Sequence, residues 1–96
     1  MYHIYILYSE KHDLYYVGQT NDLERRLQEH NEQPKNFYTS KYRPWKLIKS
    51  FEVGDSLGLA RKIENYIKGM KSRKYIERLI GMEDIESIIE RFGGSG

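Results

Sequence analysis

Two stretches near the start decide the fold: Tyr2-His3-Ile4-Tyr5-Ile6-Leu7-Tyr8 and Leu14-Tyr15-Tyr16-Val17-Gly18, separated by the polar run from Ser9 to Asp13. Both are dense in aromatic and β-branched side chains, as strands are, and a short polar spacer between two such runs reads as a hairpin loop. Side chains alternate across a strand, so Ile4, Ile6 and Tyr8 share one face while His3, Tyr5 and Leu7 share the other. Tyr15 and Tyr16 part to opposite faces for the same reason. Gly18 ends the second strand in this reading.

Downstream, Thr20-Asn21-Asp22 supplies the short polar side chains that cap a helix beginning near Leu23. Leu23, Leu27 and His30 recur at helical spacing, Arg26 neighbours His30 beside that stripe, and Glu24 and Gln28 look outward. Asn31 to Pro44 contains both prolines and little periodicity, which predicts a long loop. Trp45 to Val53 returns to strand composition, and Gly54-Asp55-Ser56 is a turn into a second helix that carries Leu59 or Ala60, Ile63 and Ile67 inward. Glu64 falls beside or within that buried stripe, where a carboxylate needs a reason, whereas Arg61, Asn65 and Lys68 belong nearer solvent. Gly69 stops this helix and Ser72 starts another through Tyr75, Ile76, Leu79 and Ile80. Ile85, Ile88, Ile89 and Phe92 mark a last short one. The expected organisation is one domain over residues 1–92 with a flexible tail over 93–96.

Length and composition bound what such a chain does. Ninety-six residues, 39% hydrophobic and 31% charged, make one small core. Mean hydropathy is −0.79 and no apolar run approaches bilayer length. With no signal peptide at Met1-Tyr2-His3, the expectation is a cytoplasmic protein with no membrane partner. The absence of cysteine excludes a disulfide framework, a Cys-ligated zinc, an iron–sulfur cluster and a thiol nucleophile. Net charge is only +2, but it is unevenly spread. Lys35, Lys41, Arg43, Lys46 and Lys49 follow one another without an acid, and Arg61 to Arg78 is again basic. Beyond Leu79, Glu83, Asp84, Glu86 and Glu90 face only Arg91. A basic middle can track a phosphate backbone, and it can equally be a solvated surface.

Taken singly, each candidate residue has an ordinary structural role. Tyrosine rings pack in sheets, Arg26 suits an amphipathic helix, His30 suits a helix end, and Glu64 is a good helix former. As a set, Tyr5, Tyr16, Gly18, Arg26, His30 and Glu64 put two phenols, a guanidinium, an imidazole and a semi-buried carboxylate into elements that a hairpin-plus-helices fold brings together. Phosphodiester hydrolysis needs an activated water, positive charge for the phosphorane oxygens and help for the leaving oxygen. Arg26 offers a forked permanent donor to phosphate oxygens, and Glu64 alone can hold one hydrated Mg²⁺ if water and phosphate complete the octahedron. A free phenol titrates near ~10 and needs an acceptor, for which His30 stands one turn beyond Arg26. His3, His12 and His30 lack zinc-site spacing, and neither a GxSxG elbow nor a phosphate-binding glycine loop occurs.

The runs Ile4-Tyr5-Ile6-Leu7, Tyr16-Val17-Gly18-Gln19-Thr20, Asp22-Leu23-Glu24-Arg25-Arg26 and Glu29-His30-Asn31 resemble the GIY-YIG nuclease superfamily, and most of all its small stand-alone bacterial members. Tyr38-Thr39, Pro44 and Leu47 match the family's loop and third strand. Glu64, Ile67-Lys68-Gly69 and Ser72-Arg73 match its second helix and the segment after it, so the likeness covers roughly residues 2 to 80. The resemblance implies an α+β fold, a central three-stranded antiparallel sheet flanked by helices, and cleavage of DNA dependent on one Mg²⁺ or Mn²⁺. By position, Tyr5 and Tyr16 would be the motif phenols, Arg26 and His30 would lie beside the scissile phosphate, and Glu64 would hold the metal. Gly18 would let the chain pass close to the site. His3 replaces the glycine of the family's name, and no asparagine follows Asn65 to match the distal one of some larger members.

The stretch from Lys35 to Lys49 interleaves Phe37, Tyr38, Tyr42 and Trp45 with cations, the composition of a surface that holds a backbone and stacks on unpaired bases. Lys35, Tyr38, Lys41, Arg43 and Lys46 are the expected nucleic-acid contacts. The leading expectation is a DNA endonuclease selecting backbone or branch structure, with a role in repair or recombination and a partner protein supplying specificity. RNA is the open alternative to DNA. A nucleic-acid-binding module without turnover is the second reading, and a protein-interaction domain using the acidic Leu79 to Phe92 segment the third.

Overall fold

A computed structural model describes residues 1–32 and 38–94. The expected hairpin forms from β1 (Tyr2–Ser9) and β2 (Leu14–Thr20), followed by α1 (Leu23–Glu32), a 3-10 turn (Tyr38–Tyr42), β3 (Lys46–Gly54), α2 (Leu57–Gly69), α3 (Arg73–Ile80) and α4 (Glu86–Ile89). The strands make one three-stranded antiparallel sheet with β1 in the middle, β2 on one side and β3 on the other. With helices flanking it, this is the α+β architecture expected from the sequence. No helix among the described residues is long and apolar enough to cross a membrane.

Both faces of β1 are covered, and the alternation of its residues divides them between two clusters. Ile4 and Ile6 join Val17, Phe51 and Val53 beneath Ala60, Ile63 and Ile67 of α2, with Leu79, Ile85 and Ile88 closing that side. Tyr5 and Leu7 pack on the opposite face with Trp45, against Leu23 and Leu27 of α1 and the Tyr16 ring. The helix starts are set as their sequences suggest. The Asp22 carboxylate accepts from Arg25 N (3.1 Å), the Ser56 hydroxyl from Leu59 N (3.1 Å) and the Ser72 hydroxyl from Tyr75 N (3.1 Å).

Three local expectations change. Gly18 does not end β2: it pairs with Tyr5, and Gln19 and Thr20 continue the ladder opposite Ile4 and His3. The Asn31–Pro44 loop is partly ordered into elements, since α1 runs to Glu32 and Tyr38–Tyr42 winds into the 3-10 turn. Trp45 lies just before β3, where its backbone N–H and C=O both bond the Asn31 amide rather than a strand. The last helical segment continues as a wider turn over Glu90–Gly94. Ser95 and Gly96 lie outside the described residues.

Candidate active site

Tyr5 is the hub. It sits midway along the central strand, opposite Gly18 on one side and Ser50 on the other, and is only 2% exposed. Its ring lies across Gly18, where an added Cβ would stand 2.3 Å from the phenol oxygen and 2.4 Å from Cζ. Glycine is needed there because the ring already fills the space of a side chain. The phenol oxygen accepts from Arg26 Nε at 3.3 Å and lies 2.9 Å from His30 Nε2. Arginine can only donate, so the phenol oxygen accepts there, and the His30 ring is held between two hydroxyls, with its Nδ1 2.7 Å from that of Thr39. A chain of hydrogen bonds thus runs from α1 through the sheet to the 3-10 turn.

The same segment is pinned from outside. Trp45 Nε1 donates to the Thr39 carbonyl at 2.8 Å, the Asn31 carbonyl oxygen accepts from Trp45 N at 2.7 Å, and the Asn31 amide donates back to Trp45 O at 3.0 Å. Arg43 donates from Nε to the His30 carbonyl and from Nη2 to the Glu29 carbonyl, satisfying acceptors at the end of α1. Glu29 in turn takes a hydrogen bond from Arg26 Nη1 at 2.9 Å, so the Arg26 plane is set by a phenol on one side and a carboxylate on the other.

Electrostatics follows from this enclosure. Burial pushes the Tyr5 phenol up to about 12, against the pull of the Arg26 hydrogen bond and charge, with Tyr16 and Glu64 adding to the rise. Burial also drives His30 down to about 4, helped by the nearby Arg26 charge. At neutral pH Tyr5 is a phenol and His30 a neutral imidazole, 2% exposed, with both ring nitrogens engaged inside the protein. Desolvation alone would lower the Arg26 pKa, and the hydrogen bonds it donates to Tyr5 and Glu29 outweigh that and raise it.

Tyr16 and Glu64 come to the same region from other elements. The Tyr16 ring is 6.4 Å from that of Tyr5, 5.1 Å from His30 and 6.2 Å from Trp45, centroid to centroid, and it is partly exposed. Glu64 projects from α2 with an 18% exposed side chain, and its charge acts on the Tyr5 phenol. Its Oε2 is 2.8 Å from Lys68 Nζ, and that ammonium stands 4.9 Å from the centre of the Tyr16 ring. Lys68 and Tyr16 line a shallow cleft of about 190 Å³ where α2 and α3 meet β2. Among the described residues no three His, Asp or Glu side chains converge into a metal cage, so an ion here would draw most of its shell from water and phosphate. Glu64 fits that demand. It is half-buried and already faces a cation, and Mg²⁺ accepts a single carboxylate when water and phosphate complete its shell.

The expected nucleic-acid contacts are placed unequally. Lys35 lies outside the described residues, as does Phe37. Tyr38 is 62% exposed, and its ring is 5.1 Å from Tyr42, which is 5.3 Å from His12, so three rings form a row on the surface. Lys41 is exposed, Lys46 is ion-paired with Glu10, and the Arg43 guanidinium is turned to the α1 carbonyls rather than outward. Gly18 is buried under the Tyr5 ring. Three residues that sequence reasoning quotes only in passing, with no role of their own, take part in the site. Thr39 sits in a segment without periodicity and Glu29 reads as an ordinary helical acid. Lys68 has the spacing of a solvent-facing lysine, although its place four residues after Glu64 is the available signal.

The family model described as GIY-YIG catalytic domain matches residues 1–76, well over half of the chain. No curated protein matches the chain closely enough to count as a relative. The chain belongs to the GIY-YIG family, a family of nucleases.

Proposed function

We propose that this GIY-YIG domain is an endonuclease that hydrolyses phosphodiester bonds of DNA with one divalent cation, Mg²⁺ or Mn²⁺, held on Glu64. The observation that supports the reading is the contact of Arg26 and Tyr16 with the buried Tyr5 side chain, with Glu64 joined to the Tyr16 ring through Lys68. When bound, the ion supplies Lewis-acid stabilisation of the phosphoryl oxygens and a more acidic water. Arg26 meets the charge that develops on the non-bridging oxygens, with its plane held by Tyr5 and Glu29. Tyr16 is the phenol at the mouth of the site and orients the attacking water. A new P–O bond forms from that water as the ester P–O bond breaks.

Tyr5 keeps its proton near neutrality and is a positioning residue for Arg26, as are His30 and Thr39 behind it. The Tyr38–Tyr42–His12 row with Lys41 and Lys46 offers unpaired bases a stacking surface beside cations, which suits backbone- or branch-selective substrates of repair or recombination. In this reading residues 1–92 act as one cytoplasmic domain, and a protein partner supplies further specificity. One observation favours a second reading, a module that binds nucleic acid without cutting it: the Glu64 carboxylate is already neutralised by Lys68.

The test is nicking of branched and single-stranded DNA in Mg²⁺ or Mn²⁺. Glu64→Ala and Arg26→Ala are each expected to slow it by about 100-fold or more. Equal nicking by all three proteins would mark a contaminant and end the nuclease reading. Salt-sensitive DNA retention that survives Glu64→Ala without any turnover would establish the binding module instead.

A further inference from the structure

Glu64 and Lys68 are four apart on α2 with the acid N-terminal, the favourable order for a helical ion pair. Such pairs are ordinarily weak ornaments of an exposed face. This one differs in its two ends. The Glu64 side chain is 18% exposed, whereas Lys68 is 41% exposed on a long flexible stem. The ammonium also rests 4.9 Å from the Tyr16 ring centre, close enough for its charge to act on His30. It therefore occupies the space in front of the one carboxylate proposed to take the metal, between that acid and the Tyr16 ring. The lysine, more exposed and on the longer stem, is the freer of the two partners.

We propose that Lys68 is a displaceable countercation: it occupies Glu64 until a substrate phosphate draws the ammonium away, and DNA and the divalent ion consequently bind with positive cooperativity. This rests on the nuclease reading above. Without DNA, ammonium and metal compete for the same carboxylate, so the free protein holds the metal weakly. With DNA, the ammonium exchanges a carboxylate oxygen for a phosphate oxygen and stays paired throughout, which avoids leaving either charge unmatched. Coupling of this kind is reciprocal: whatever metal does to DNA affinity, DNA does to metal affinity.

The test uses the full chain and two binding measurements that need no turnover. Mn²⁺ is titrated without DNA by electron paramagnetic resonance, and a short phosphorothioate DNA is titrated in EDTA, for wild type, Lys68→Met, Lys68→Arg and Glu64→Gln. Lys68→Met keeps the aliphatic stem and is expected to bind Mn²⁺ about 5-fold more tightly than wild type and the DNA about 5-fold more weakly, with Lys68→Arg close to wild type in both. A lysine that merely props up Glu64 would give unchanged or weaker Mn²⁺ binding on removal, and that result overturns the proposal, as does unchanged DNA affinity. Glu64→Gln separates the two levels: it should abolish the Mn²⁺ signal, and Mn²⁺ binding that persists in it overturns the metal site itself, whatever Lys68 does.

Discussion

The Tyr5 phenol and the His30 imidazole are held in their neutral forms by enclosure, and this has a sign that can be measured. In the unfolded chain the imidazole titrates near its ordinary value of ~6.5, while in the folded chain burial keeps it near about 4. Between those values the unfolded state binds the proton and the folded state does not, so stability is full above about 6.5 and is lost as pH falls toward 4. The His30 share of that loss is about 2 kcal/mol between pH 7 and pH 4.5. Urea unfolding at the two pH values should show it in wild type and not in His30→Gln; the same loss in both would assign the effect elsewhere. Gly18 makes a second prediction at this scale. Alanine there must push the Tyr5 ring off Arg26 and His30, at a cost of about 1–3 kcal/mol for overpacking. The penalty should shrink by about 1 kcal/mol or more in a Tyr5→Leu background, where no ring crosses position 18. Thermal melts of the four proteins decide it, and additive effects would refute the contact.

Among the elements, those whose signals are local were legible and those held by distant partners were not. The hairpin, the caps at Asp22, Ser56 and Ser72, and the inward Ala60, Ile63 and Ile67 of α2 all follow from neighbouring residues. The 3-10 turn has no such signature, because what orders it is Thr39 against His30, Trp45 against the Thr39 carbonyl, and Arg43 across the end of α1. Composition marked this segment as a basic surface and could not distinguish an arginine facing solvent from one folded back on a helix terminus. That difference is testable. Arg43→Ala should lower stability by about 1 kcal/mol or more through the carbonyls it abandons, whereas Lys41→Ala should leave the melting temperature alone and weaken DNA retention with a shallower salt dependence. If the two variants behaved alike in both assays, the division of labour between these cations would be wrong.

At the scale of the whole molecule, the candidate site was legible as a set of residue types but not as a hierarchy. Spacing brought Tyr5, Tyr16, Arg26, His30 and Glu64 forward together. Their ranking from enclosed to accessible depends on which strand is central and where α2 meets β2, and a linear pattern carries neither. The middle position of β1 has a consequence for fidelity. Its even-numbered isoleucines serve the aliphatic layer under α2 and its odd-numbered Tyr5 and Leu7 serve the aromatic layer under α1. A slip of this strand by one residue would bury a phenol among methyl groups and hold an aliphatic chain in front of Arg26. Mispairing would thus cost hydrophobic contact on one side and hydrogen bonding on the other, so the strand that builds the chemistry also guards its own alignment.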